Sequence, residues 1–321
     1  MNLLTIAIPT YNRAEFLNKQ LGLLCQLLKE GNEFDILVSD NASTDNTSEI
    51  VDKWKKKISN LTYYRQDNNV GLDGNFTACY ELFRTKYCWL LGDTRIISSQ
   101  EMASLLNYLK KDYDAYILST TPQMRLDTKV YTDIEDLLNE QGWHITNMSA
   151  TIVTKAFVNK HILNRFMGSV MVHYGNFIET LCNMDSFKVQ FISKEEIIIR
   201  EIRIDNVSKR KTGWTSHSVS IFGRNWYHVV MSLSYQIPLE LKYKVMKDHN
   251  RFTEAVSTRL FKEHFRFHDI EFKKDASENL RYLRFVSDEP YWKYRLVITC
   301  SWYYNCMGYL KDYVKKVILK H

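Results

Sequence analysis

The chain has 321 residues, 45% of them apolar, with 11 Gly and 4 Pro; this composition excludes a disordered or fibrous polypeptide and leaves room for one large or two ordinary domains. Its formal charge of +6 sits entirely in residues 240–321, where 17 Lys and Arg meet 11 Asp and Glu, while residues 1–239 hold 26 of each. The 6 cysteines form no CxxC pair and no His stands at zinc-finger spacing, so a structural zinc site is excluded and reduced, cytosolic thiols are expected.

In chain order, Leu3 to Ile8 runs straight into Pro9-Thr10 without a basic leader or a long apolar core, and reads as a first strand. Further strands are predicted at Phe34 to Ser39, Leu61 to Arg65, Tyr87 to Leu91 and Ala115 to Ser119. Between them, apolar positions three and four apart predict helices over Ala14 to Lys29, Asn46 to Lys57, Gly74 to Phe83 and Ser98 to Lys110. This alternation predicts an α/β fold with a mostly parallel sheet flanked by helices, and in such sheets ligands bind beyond the carboxyl ends of the strands. The pattern loosens after Gln123, with strands predicted at Ala150 to Val153, Val189 to Ile192 and Glu196 to Ile199 and a helix near Asn176 to Met184. A polar, basic segment from Asp205 to Trp214 reads as a loop, and Val219 to His321 reads mostly as helix. The division expected is 1–215 for the α/β domain and 216–321 for a helical, basic and aromatic region.

The chemistry concentrates after the strands. Pro9-Thr10-Tyr11-Asn12-Arg13 offers an aromatic ring for stacking and a guanidinium for phosphate. Ser39-Asp40-Asn41-Ala42-Ser43-Thr44-Asp45 offers a carboxylate for a base edge or ribose, though its later residues also suit helix caps. In the third loop, Asn69-Val70-Gly71-Leu72-Asp73-Gly74-Asn75 lacks the spacing of a dinucleotide fold or a P-loop; its glycines permit close approach of a ligand, or simply a turn with positive φ. Gly92-Asp93-Thr94-Arg95 then puts a carboxylate at the end of an apolar strand, where desolvation is costly unless something is bound.

These four segments, in this order, resemble glycosyltransferase family 2, the inverting nucleotide-sugar enzymes of GT-A fold, with the flavour of bacterial O-antigen or capsular polysaccharide enzymes; the likeness covers about residues 3–215. The resemblance implies a donor pocket lined by Pro9, Tyr11, Arg13, Asp40, Asn69, Gly71, Asn75 and Asp93. Where the family carries a second, metal-binding carboxylate after the fourth strand, this chain has Arg95, a cation that would repel Mg²⁺ or Mn²⁺. Three outcomes follow: the guanidinium replaces the metal at the diphosphate, a metal still binds through Asp93 and the donor phosphates, or the site is dead. The reading favoured is a weakened or absent metal requirement. The acceptor-side base is expected at His173, with Glu179 second, and Lys211 and Trp214 are expected in a loop closing over the donor phosphates, with Arg200 and Arg203 nearby.

The implied activity is transfer of a sugar from a nucleotide-sugar donor to a hydroxyl of a glycan, expected to be lipid-linked. The alternative is a non-catalytic nucleotide-binding scaffold subunit. The basic, aromatic C-terminal region fits an anionic membrane surface, giving a cytoplasmic, membrane-peripheral protein; no nucleic-acid module is recognisable.

Overall fold

The computed structural model describes residues 2–122, 124–204 and 215–307. Two compact units are present, residues 1–206 and 207–321. The boundary expected at 215/216 lies within or beside a segment outside the described residues, as do Lys209, Arg210, Lys211 and Trp214.

In the first unit the elements run β1 (Leu4–Thr10), α1 (Ala14–Lys29), β2 (Asp35–Asp40), α2 (Thr47–Lys55), β3 (Leu61–Arg65), α3 (Gly71–Leu82), β4 (Tyr87–Leu90), β5 (Arg95–Ile96), α4 (Ser99–Leu109) and β6 (Ala115–Leu118). They continue through β7 (Lys129–Tyr131), α5 (Ile134–Gln141), β8 (Thr151–Thr154), α6 (Lys160–Arg165), α7 (Val172–Cys182), β9 (Val189–Ile192) and β10 (Arg200–Glu201). Eight strands form one sheet in the order β3-β2-β1-β4-β8-β6-β9-β7; β3, β2, β1 and β4 are mutually parallel, as are β6 and β9, while β8 and β7 are antiparallel to their neighbours.

Period two along β1 decides what lies on each face. Leu4, Ile6 and Ile8 join one core cluster with Leu17, Leu21 and Leu24 of α1, Val51 of α2 and Met102 and Leu105 of α4. On the sheet's other face α3 packs on β1 and β2 and meets α7. Strands buried on both faces read as continuous apolar runs, which is why β1, β2, β4 and β6 were legible. Differences fall at the edges. β5, β7 and β10 are two or three residues long, below any periodicity, and the strand expected over Glu196 to Ile199 is reduced to a single bridge between Ser119 and Ile198.

Sheet topology positions the site. The chain moves from β1 outward to β2 and β3, then returns to place β4 on the other side of β1, and the crevice at such a reversal is where ligands bind in open α/β sheets. Pairing of β1 with β2 continues to Thr10 and Asp40, whereas pairing with β4 stops at Ala7 and Leu90. The last residues of β1, Pro9 and Thr10, therefore border an opening on their β4 side, and a proline there forfeits no ladder bond to β4.

The second unit contains α8 (Trp226–Ser232), α9 (Leu239–Thr253), α10 (Thr258–Arg266), α11 (Ile270–Asn279), α12 (Leu283–Val286) and α13 (Tyr291–Thr299). Several aromatics that the sequence offers to a membrane are its core: Phe261 packs edge-on against Phe272 at 4.9 Å and Tyr294 at 5.3 Å, and Phe265 is buried with them. Phe267, Trp292, Trp302 and Tyr303 remain exposed, and Tyr309 and Tyr313 lie outside the described residues.

Candidate active site

The three loops that follow β1, β2 and β3 are laced together at the carboxyl edge of the sheet. Asn12, in the left-handed region at φ 52°, accepts the Thr44 N–H at 2.7 Å, and its own N–H donates to Ser43 Oγ at 2.9 Å. Asp45 accepts the Ala14 N–H at 3.1 Å and the Thr47 N–H at 3.1 Å, so one carboxylate caps the starts of both α1 and α2. Asn41 ties in the third loop: it accepts the Val70 N–H at 2.9 Å and donates to Asn69 Oδ1 at 2.9 Å and to the Gly71 carbonyl at 3.1 Å. Gly71, at φ 75°, makes a turn that a side chain would strain. Asn75 is buried and donates to the Ser39 carbonyl at 3.0 Å, fastening α3 to β2.

Asp40 and Asp93 flank Thr10 from opposite sides. Asp40 is fully buried; it accepts the Ser43 N–H at 2.9 Å and the Tyr63 hydroxyl at 2.7 Å, with Arg65 Nε at 3.6 Å. Burial and the neighbouring Asp40 push the Tyr63 phenol up, so it stays protonated and donates. Asp93 is buried in the crevice, accepting Thr10 Oγ1 at 3.2 Å and Arg13 Nε at 2.9 Å on both oxygens. Desolvation raises its pKa, with the Arg13 guanidinium opposing the shift. Arg13, expected to face a base or a phosphate, is thus committed to Asp93 and lies over the Phe16 ring at 4.4 Å. Tyr11 beside it stays exposed.

The fourth loop is held from behind. Gln20 of α1 donates to the carbonyls of Gly92 at 2.8 Å and Arg95 at 2.7 Å, and Ser149 Oγ accepts the Gly92 N–H at 3.1 Å. The Arg95 N–H closes the turn onto the Gly92 carbonyl at 2.9 Å. Among the described residues the Arg95 side chain has no hydrogen-bond or ion-pair partner, so its charge is uncommitted. A metal held by the protein fits this donor set poorly. Asp93 has both oxygens engaged, its neighbour is a cation, and the described residues contain no group of three or more His, Cys, Asp or Glu suited to an ion.

On the acceptor side the expected residues are buried in protein contacts. His173 lies in the first turn of α7, 5% exposed, its ring edge-on to Phe76 at 5.5 Å. Its Nε2 donates to the Thr146 carbonyl at 2.8 Å, which leaves the lone pair on Nδ1, a buried atom without a partner. Burial pulls its pKa down to about 4, so the ring is neutral but a weak base, enclosed in this conformation rather than poised at solvent. Glu179 is buried on α7 and paired with Arg165 of α6 at 2.9 Å. Arg200 of β10 is engaged with Glu101.

Sequence reasoning gave no role to Asn12, Asn41, Gln20 and Asp73, whereas the helix-capping role open to Asp45 is the one it takes. Asp73 is buried in the first turn of α3 and accepts the N–H of Val170 at 2.8 Å and of Val172 at 3.1 Å. Within the second unit, a cleft of about 360 Å³ is lined by Lys247, Arg251, Asp288 and other charged residues that pair with one another, and it is not adapted to an anion.

The model of the family described as Glycosyl transferase family 2 matches residues 5–165, half of the chain. Abequosyltransferase RfbV of Salmonella typhimurium is 36% identical over 116 residues, 36% of this chain and 35% of that protein. An uncharacterized glycosyltransferase, MG060 of Mycoplasma genitalium, is 30% identical over 118 residues, 36% of this chain and 40% of that protein, so the chain aligns with well under half the length of these relatives. Among solved structures, TarS 1–349 of S. aureus in complex with UDP-GlcNAc superposes with a TM-score of 0.60 at 14% identity over 96% of this chain and 89% of that one. The mannosyltransferase PcManGT of Pyrobaculum calidifontis, in complex with GDP-Man and Mn²⁺, gives 0.51 at 14% identity over 97% and 86%. These structural likenesses establish a GT-A-like fold.

The Asp93 environment yields a stability prediction. A carboxyl whose folded pKa is raised binds its proton more tightly in the native state, so ionisation costs stability above the unfolded pKa of about 3.9, and the cost vanishes below it. Asp93→Asn keeps one acceptor oxygen, enough for Thr10 or Arg13, and the partly exposed Arg13 can be hydrated where it loses its partner. At pH 7 the variant is expected to melt about 2–4 °C higher, as ~1 kcal/mol does in a domain of this size, with the gain disappearing near pH 4. Calorimetry across pH checks this; an unchanged or lower Tm at pH 7 contradicts it. With the match spanning half of the chain and the strand-end loops assembled in one crevice, the chain belongs to glycosyl transferase family 2.

Proposed function

We propose that the chain transfers a sugar from a nucleoside diphosphate donor to a hydroxyl of a glycan in bacterial surface polysaccharide synthesis, with inversion at the anomeric carbon. The observation that carries this reading is the crevice beside Thr10, where loops from β1, β2 and β4 bring Asp40, Asp93 and the uncommitted Arg95 to one edge of the sheet. Tyr11 offers an exposed ring to the base, Asp40 holds the loop beneath the nucleoside, and the open Gly71 turn allows close approach of the donor. The complexes of TarS with UDP-GlcNAc and of PcManGT with GDP-Man support a nucleotide sugar as the ligand class.

In the reaction, the acceptor oxygen attacks the anomeric carbon as the bond to the donor's diphosphate breaks, and negative charge grows on the departing phosphate. A guanidinium can bind phosphate oxygens through two N–H groups and stabilise that charge without a metal. We assign that task to Arg95, with Asp93 holding Arg13 and the crevice wall in place. Transfer is then expected to survive EDTA within about twofold and to fall at least 100-fold in Arg95→Ala, about 2.7 kcal/mol of transition-state stabilisation. Loss of activity in EDTA with rescue by Mn²⁺ contradicts the guanidinium role, and nucleotide binding without turnover on any acceptor supports the scaffold reading instead.

A lipid-linked acceptor at the inner membrane face fits the second unit. Trp292 and Leu296 of α13, with Trp302 and Tyr303 beyond it, expose aromatic and apolar surface beside Lys293 and Arg295, and no helix among the described residues is long and apolar enough to cross a membrane. Replacing the exposed Trp292, Leu296, Trp302 and Tyr303 by Ser, which leaves the buried Tyr294 in place, is expected to abolish co-sedimentation with anionic liposomes; full retention of binding removes the membrane assignment.

A further inference from the structure

The donor-side loop and the acceptor-side helix are joined through one buried carboxylate. Asp73 lies two residues after Gly71, and its two oxygens take the N–H of Val170 at 2.8 Å and of Val172 at 3.1 Å. The segment it grips is held away from relaxed geometry at Val170, a β-branched residue at φ 65° that follows Gly168 at φ 79°. A non-glycine residue in that region is strained and persists only where its surroundings impose it. One turn further along α3, Phe76 packs on His173, so α3 touches the start of α7 twice, at backbone and at side chain. At its other end the same turn is bonded through Asn69, Val70 and Gly71 to Asn41. α3 therefore bridges the third loop and the first turn of α7, with Asp73 as the tie.

We propose that Asp73 is a positioning residue that makes the donor loop 69–71 and the acceptor-side segment 168–172 move as one body, so that nucleotide binding at the first sets the second. This deepens the glycosyltransferase reading and rests on it for the kinetic arm of the test. A carboxylate suits the task because it accepts from several convergent N–H groups at once, whereas an amide of equal size accepts at one atom and turns donors toward the rest.

The test uses the full chain, with UDP, GDP, CDP and TDP as probes, and the variants Asp73→Asn and Asp73→Asn combined with Val170→Gly. In the native protein, the nucleotide that binds is expected to slow amide hydrogen exchange across residues 168–172 at least fivefold. In Asp73→Asn that response is lost and kcat falls at least tenfold, while the Kd for the same nucleotide stays within threefold and the Tm within a few degrees. Glycine adopts the positive φ without cost, so adding Val170→Gly is expected to recover kcat to within about threefold. If the single variant does not fold, the exchange response of the native chain and the Val170→Gly single variant decide the matter. Exchange at 168–172 that ignores bound nucleotide, or native kcat in Asp73→Asn, overturns the inference. Should no donor be turned over by the native chain, the transferase reading fails while the exchange response still judges the coupling.

Discussion

The site depends on keeping a carboxyl group buried in a crevice at a strand end. Asp93 stands where β4 has stopped pairing with β1, and a strand end of this kind offers it only the Thr10 hydroxyl and the Arg13 guanidinium. Desolvation outweighs both partners, so the native fold carries a cost at its centre. Much of the surrounding architecture compensates. Gln20 clasps the following turn from α1, Ser149 braces Gly92, and Asp45 caps two helices so that the first two loops cannot separate.

Such costs gather at the same edge of the sheet. Asn12, Ala42 and Val170 all hold positive φ in loops that follow β1, follow β2 or precede α7, and Asp73 is a second carboxyl whose pKa burial raises. Strain and desolvation of this sort lower stability without contributing to the core, and they persist where a preformed polar site is required. The imidazole of His173 belongs to the same pattern: neutral, enclosed and carrying a lone pair that no group among the described residues answers.

The fold was legible wherever one element's pattern sufficed. α1, β3 and β9 have the boundaries their periodicity predicts, because apolar residues at helical or strand spacing must face the core. The edge pieces β5, β7 and β10 were not, since two or three residues carry no period and pairing partners come from elsewhere in the chain. At the site, Asp40 and Asp93 could be picked out as carboxylates at strand ends, and the family resemblance named the same loops. Arg13 turning to Asp93, Asn41 fastening the third loop and Asp73 reaching 97 residues along the chain to Val170 are tertiary choices: an Asn or Asp in a turn bonds whatever the fold brings near it. The pairing of Glu179 with Arg165 has the same source, for the partner of a Glu on a helix is set by what a neighbouring helix supplies.

The most direct test is a crystal structure of the chain with its tightest-binding nucleoside diphosphate. The account predicts the diphosphate in the crevice bordered by Thr10 and Asp93, with an Arg95 nitrogen within about 3 Å of a phosphate oxygen and the base against Tyr11 on the Asp40 side. A nucleotide bound away from these strand ends, or a diphosphate that leaves Arg95 untouched, would contradict it.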